Sequence, residues 1–234
     1  MRFFKNNRLH LEQNRPSITD FLWVISLTVM MSLTRLHHAE TLWQLPDASV
    51  AVFFLAGLRL KSIRFLLWFL AEFLLIDFIA LYGLGTDSYC FSAAYGFLIP
   101  AFAGVWWIGK QLSKKLFAEG IPTTSLQIHT SALIKTSALI KIPTLMKLAR
   151  SAQMLALTFV FASLSAAYYF LLSNLSFFLL SGKFSQLSGW EYTQRVSMYF
   201  QDYWFATAGY SCLAVALLLV AELFARPQNS LFVR

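Results

Sequence analysis

The feature that most constrains this chain is a series of long apolar runs, separated by short polar segments in which basic residues collect. The runs extend from Phe21 to about Leu36, from Pro46 to Lys61, from Arg64 to Gly83, from Phe91 to Gly109, from Met154 to Leu180 and from Tyr203 to Ala225. A helical bilayer crossing takes about 20 predominantly apolar residues. Backbone in lipid must satisfy its own hydrogen bonds, which leaves an all-α bundle as the fold class. Composition agrees, with 58% hydrophobic and only 13% charged residues, too apolar for an ordinary soluble domain. The expected architecture is a single transmembrane domain over 1–234 with six transmembrane helices. The second run, built on AVFFLAGLRL, is short for a span unless it begins near Pro46 and ends close to Lys61. Pro100 inside the fourth run removes a backbone donor and favours a kink.

Charge sets the orientation. With the N-terminus inside, 16 of the 19 basic residues fall on the cytoplasmic side and only Arg35, Lys183 and Arg195 outside. That asymmetry predicts cytoplasmic N- and C-termini. The lead segment carries Arg2, Lys5, Arg8 and Arg15, and no A-x-A-like cleavage site follows in VMMSLTRLHHAE, so the first run is read as an uncleaved helix. The segment 110–150 holds seven basic residues against Glu119 alone and contains TSALIK twice in tandem, at 130–135 and 136–141. It reads as a basic cytoplasmic loop, or an amphipathic helix lying on the anionic inner leaflet. The net charge of +8 is spread between apolar runs, a topological pattern that argues against nucleic acid as a partner.

Several chemistries are missing from the sequence. It has no G-x-x-x-x-G-K-[ST] phosphate cradle and hence no recognisable ATP site, no H-E-x-x-H, no G-x-S-x-G and no dinucleotide fingerprint. Two cysteines, Cys90 and Cys212, give neither a disulfide framework nor a zinc spacing. Within the third run Glu72 and Asp77 are five positions apart, about 140° around a helix, so they cannot line one narrow pathway together. Glu72 reads either as a substrate or proton contact or as a buried hydrogen-bonding group. His37 and His38 lie in an outer loop.

The sequence signal with the most chemistry is GLGTDSYCFSAAYGFLIPA (83–101), where a short acidic loop runs into an apolar helix at Cys90. A thiol near a helix N-terminus is biased toward the thiolate, the form that binds metals and attacks electrophiles. Capping by Asp87 or Ser88 puts Cys90 in the first turn, and capping by Ser92 leaves it just outside. An inert, partly buried thiol is the alternative, since free cysteine commonly behaves as a small hydrophobe.

Four stretches, LPDASVAVFFLAG (45–57), GTDSYCFSAAYGFLIPA (85–101), NLSFFLLSGKFS (174–185) and EYTQRVSMYFQDYW (191–204), together resemble the small bacterial cobalamin transporters of the BtuM type, solitary relatives of the S-components of energy-coupling-factor transporters. The resemblance implies an S-component-like six-helix bundle in the bacterial inner membrane, with a corrinoid cavity open to the periplasm. It implies that Cys90, in DSYC, is a ligand to the corrin cobalt, a role suited to a soft thiolate donor. Cobalamin would be the transported ligand, and the same bond would assist removal of cyanide from cyanocobalamin as an accessory activity. Tyr89, Phe91 and Tyr95 would pack against the corrin edge, while Asp47 and Asp87 would accept hydrogen bonds from its amide side chains. S-components commonly present A-x-x-x-A on the first helix to an ATPase module; this chain has the weaker pair Thr28-x-x-x-Ser32 there, which counts against that partner. Two rival readings remain on sequence grounds. One is a membrane thiol oxidoreductase pairing Cys90 with Cys212, which needs the two sulfurs at bonding distance. The other is a non-catalytic assembly or scaffold protein.

Overall fold

The structure is a computed structural model that describes residues 18–35, 45–60, 62–83, 92–118 and 141–224. Seven α-helices lie in these residues: α1 (Ile18–Arg35), α2 (Ser49–Arg59), α3 (Ile63–Gly83), α4 (Leu98–Ala118), α5 (Lys141–Leu180), α6 (Gly189–Ser197) and α7 (Phe200–Phe224), with a 3₁₀ turn, Ala93–Phe97, leading into α4. No strand occurs among the described residues. Four segments are long and apolar enough to cross a membrane: Ile18–Arg35, Ile63–Gly83, Leu148–Leu180 and Phe200–Ala221. Large apolar side chains on their outer faces are exposed, among them Phe21, Leu22, Leu67, Phe78, Leu171 and Leu217. So wide an apolar surface belongs in lipid, and the protein is an all-α, multi-pass membrane protein.

The short helix α2 is the centre of the packing. Nine of its 11 residues are buried, whereas α1 buries only Leu27, Met31 and Thr34 of its 18. Its AVFFLAG stretch has no polar face because α1, α3, α4, α5 and α7 all pack on it. Phe53 stacks on Phe102 of α4 with ring centroids 4.2 Å apart, and Phe102 meets Phe73 of α3 edge-on at 4.7 Å. Offset and edge-on pairs of this kind add roughly 0.5–1.5 kcal/mol beyond burial. The α2–α4 crossing is close enough to require glycine on both sides. A Cβ at Gly57 would strike the backbone of Trp106, and one at Gly109 would strike the backbone of Phe54.

Helices α1 and α3 run parallel. Trp68 and Glu72 reach Thr28, Glu72 also reaches Ser32, and Asp77 reaches Arg35, so partner numbers rise together along both helices. The chain must therefore travel back between them, and α2 makes that return. At about 1.5 Å per residue its 11 residues cover only about 16 Å. Leu60 is extended and lengthens the path. The second apolar run thus forms a helix shorter than the sequence expectation of a span from Pro46 to Lys61, and burial against neighbouring helices is what such a helix requires.

Pro100 is resolved without a mid-helix kink. It is the third residue of α4, in the turn where the 3₁₀ segment gives way to α-helix and an N–H has least to lose. Helix α5 begins at Lys141, well before the expected start at Met154, and runs without interruption for 40 residues. Helices α5 and α7 are antiparallel, with Phe170 against Phe200 and, about three turns back along α5 and one turn on along α7, Phe159 against Trp204. The hydroxyl of Tyr210 donates to the Pro46 carbonyl at 3.0 Å, tying α7 to the segment that enters α2.

Candidate functional site

Arg35 is the last residue of α1 and points into the bundle. Its guanidinium Nε and Nη2 donate to the two carboxylate oxygens of Asp77 on α3, the latter at 2.8 Å, a bidentate fork. Nη1 donates to Asp47 Oδ2 at 2.7 Å and to Ser49 Oγ at 3.3 Å. The other oxygen of Asp47 accepts from the Ser49 backbone N–H at 2.8 Å and from the Ser49 hydroxyl at 2.6 Å. Asp47 therefore serves two purposes, satisfying an orphan donor at the start of α2 and holding the cation. The Tyr95 hydroxyl donates to Asp77 Oδ2. The guanidinium carbon lies 4.2 Å from the Phe73 ring centroid, and Phe73 in turn stacks on Tyr95 at 6.0 Å. All three guanidinium nitrogens of Arg35 thus donate and its face lies on an aromatic ring, as a charge removed from water requires.

One guanidinium here serves two carboxylates, so the three groups carry a surplus of one negative charge. Asp77 is the more enclosed, with its side chain 13% exposed, while Asp47 is 37% exposed and forms the open edge of the cluster. A carboxylate oxygen has two acceptor positions, so Asp47 retains capacity for a further donor.

A second polar cluster lies farther along the same helix pair. Thr28 Oγ1 donates to Glu72 Oε2 at 2.9 Å, Ser32 Oγ donates to Glu72 Oε1 at 3.1 Å, and Trp68 Nε1 donates to Thr28 Oγ1 at 3.1 Å. Glu72 is half-buried, and each of its carboxylate oxygens accepts from a hydroxyl of α1. Thr28 and Ser32, the small-residue pair of the first helix, spend their hydroxyls inside this chain.

At the far end, α5, α6 and α7 meet through aromatic contacts. Tyr192 donates to the Asn174 carbonyl at 3.1 Å, and its ring lies 4.8 Å from Phe178 and 4.9 Å from Phe184. Tyr169 links this end to the centre, with Phe102 on one side at 4.8 Å and Tyr203 on the other at 5.9 Å. Helix α6 starts with a capping box, Ser188 and Glu191, in which Ser188 N–H donates to Glu191 Oε2 at 2.8 Å. That donation, with the Ser188 side chain and Arg195 assisting, holds the Glu191 carboxyl below its ordinary value.

Of the residues singled out in the sequence, Asp47 and Tyr95 come together on the Arg35–Asp77 pair although 48 positions separate them. Asp87, Tyr89, Cys90 and Phe91 lie outside the described residues, as do His37, His38 and both TSALIK copies except the backbone of Lys141. Ser92 caps the 3₁₀ turn, its hydroxyl accepting from Ala94 N–H at 3.3 Å, which selects the last of the three capping alternatives. Cys212 lies 12 residues past the start of α7, about 18 Å along its axis.

Sequence reasoning missed Arg35, which entered only as one of three outward-facing cations. Its signal was available: a carboxylate inside an apolar run commonly pairs with a cation at matching depth, and Arg35 closes the first run as Asp77 nears the end of the third.

Fold and site together define a multi-pass helical membrane protein with a charged cluster gathered at one end of its bundle. No protein-family model matches the chain, and no curated protein matches it.

Proposed function

We propose that this chain binds cobalamin at the outer face of a bacterial inner membrane and carries it inward. In this reading it crosses the bilayer six times with both termini in the cytoplasm, and the Cys90 thiolate is the axial ligand to the corrin cobalt. The supporting observation is convergence. The four stretches that resemble cobalamin transporters are scattered over 160 positions of sequence, and contacts join the described parts of the first two and those of the last two. Asp47 and Tyr95 share the Arg35–Asp77 pair, while Phe178, Phe184 and Tyr192 pack together across the last two stretches. Tyr169 bridges the groups, touching Phe102 and Tyr203. Gly83 at the end of α3 and Ala93 at the start of the 3₁₀ turn are the helical residues that flank Cys90 in sequence.

This reading divides the work among residues. Tyr95 has its hydroxyl committed to Asp77 and one ring face on Phe73, so it would meet a ligand with the rest of its ring, as would Tyr89 and Phe91. Asp47, at the open edge of the cluster, would accept from corrin amides, and Asp87 would do so from the loop. Binding of the thiolate to cobalt in place of the upper ligand releases cyanide as the anion, the accessory activity of this reading. The parallel course of α1 and α3, with α2 returning between them, supports three crossings before α4, and α4, α5 and α7 complete the six-pass reading. With Thr28 and Ser32 bonded to Glu72, the first helix offers an ATPase module little of the small-residue surface such docking uses.

The deciding experiment is the visible absorption spectrum of detergent-purified protein from cells grown with cobalamin. A co-purifying corrinoid with bands displaced from those of the free vitamin is expected in the wild type and in Cys212→Ser. Loss of the displacement in Cys90→Ser assigns the cobalt–thiolate bond. A colourless wild-type protein that also takes up no added cobalamin would exclude the transporter reading and favour a scaffold role.

A further inference from the structure

Glu72 is the tenth residue of the 21-residue α3, midway along a membrane-crossing helix. It is half-buried, and the apolar side chains around it, Val29 on α1 and Trp68 and Leu75 on α3, are exposed at the surface that faces lipid. The charged or acidic groups on the helices packed against α3 are Asp20 and Arg35 on α1, Arg59 on α2 and Lys110, Lys114 and Lys115 on α4. None of them pairs with Glu72, and Arg35 is given to Asp47 and Asp77. On α3 itself, Asp77 is turned to Arg35 and Arg64 stands at the helix start. Glu72 is therefore a carboxyl at bilayer depth whose described partners are hydroxyls alone.

Those hydroxyls accommodate two protonation states. In the ionised state both donate, Thr28 at 2.9 Å and Ser32 at 3.1 Å. Thr28 Oγ1 also accepts from the Trp68 indole at 3.1 Å, which fills one of its two acceptor positions while its own hydrogen stays on Glu72. Ser32 is free to reverse. When Glu72 carries a proton, its O–H donates to Ser32 Oγ, and the serine hydrogen turns to the carbonyl four residues back along α1, an ordinary bond for a helical serine. Neither state leaves a buried donor unmatched.

We propose that Glu72 is a reversible proton-binding site within the bilayer, and that it is where a hydrophobic carbodiimide modifies this protein. In that modification the carboxylic acid gives its proton to one carbodiimide nitrogen while its oxygen bonds to the central carbon, forming an O-acylisourea. Migration of the acyl group to nitrogen then yields a stable N-acylurea. The whole reagent is added, nothing leaves, and no oxidant or reductant takes part.

The test treats the detergent-purified full chain with dicyclohexylcarbodiimide across a pH series and reads intact mass, followed by mapping of the modified peptide. The expected result is one adduct on Glu72 that increases as pH falls and is absent in Glu72→Gln, with Asp77 unmodified. Ser32→Ala removes a donor that favours the ionised form, so at the alkaline end it should label roughly tenfold more than wild type at the same pH, about the value of one hydrogen bond to a charged group. A Glu72 that stays unmodified at every pH while the protein elutes as a folded species would overturn the proposal, and so would equal labelling of Ser32→Ala and wild type. Equal labelling of Glu72 by a water-soluble carbodiimide would overturn its placement in lipid.

Discussion

Two polar clusters bridge the same pair of helices, and they solve the problem of a carboxylate in an apolar setting in opposite ways. Asp77 is neutralised by a cation held in a bidentate fork and locked by Tyr95, while Asp47 takes the remaining arm of the guanidinium. Glu72 pairs with no cation among the described residues and is solvated by the Thr28 and Ser32 hydroxyls. The two carboxylates are five residues apart on α3, so about 140° of helix rotation directs one into the bundle and the other to the α1 seam at its edge. The inward group needs charge compensation, because its side chain is only 13% exposed. The seam group can change its protonation instead, which makes it the adaptable member of the pair.

That contrast predicts a graded series of stability effects. Arg35→Met should be the most damaging single change, since it leaves both Asp77 and Asp47 without a counter-charge; removal of one partner from a buried pair costs about 3–5 kcal/mol. Thermal unfolding of the detergent-solubilised protein should show the loss, and Arg35→Met combined with Asp77→Asn should recover part of it. A single variant as stable as wild type would mean that the cluster is wet. Next in size is Tyr95→Phe, which removes one hydrogen bond to a charged acceptor and should cost about 1.5–3 kcal/mol by the same assay. Glu72→Gln should fall well below both, within about 1 kcal/mol of wild type, because an amide still accepts from one hydroxyl and donates to the other. A Glu72→Gln loss as large as that of Arg35→Met would erase the distinction between the two clusters.

The membrane class was legible because apolar length and basic loops are local properties of the chain. Helix ends were less so. AVFFLAGLRL reads as short for a span, yet nothing in it fixes where its helix begins and ends, and only the parallel course of α1 and α3 shows it to be a return between them. The rotation separating Glu72 from Asp77 was readable from spacing alone. Their partners were not, since Thr28, Ser32 and Arg35 lie 40 to 44 positions away and are matched by depth in a bundle whose register no local pattern encodes. Arg35 was further concealed by its position at the end of a run, where a cation is expected on topological grounds. Pro100 misled in the other direction: its place inside an apolar run suggested a kink, whereas the preceding 3₁₀ turn capped by Ser92 makes it an early helix residue.

The α6 capping box extends the comparison into water. Glu191 is fully exposed, and its carboxyl lies below its ordinary value chiefly because the Ser188 backbone N–H donates to it. A folded value below the unfolded one means that the ionised carboxylate stabilises the helix start at pH above 4.5, its ordinary value, and that this contribution is lost as pH falls below it. Trp190, the neighbouring residue in the first turn and 71% exposed, reports the event. Its fluorescence in a protein with the other tryptophans replaced should change below pH 4.5 in the Glu191 background and stay flat in Glu191→Gln, since glutamine fills the same capping-box position without titrating. The global unfolding temperature should hardly move, because solvent screens a fully exposed charge that neither embedded cluster can screen. A fall in that temperature as large as the one from Tyr95→Phe would mean that α6 is packed into the bundle as firmly as the 3₁₀ turn that carries Tyr95.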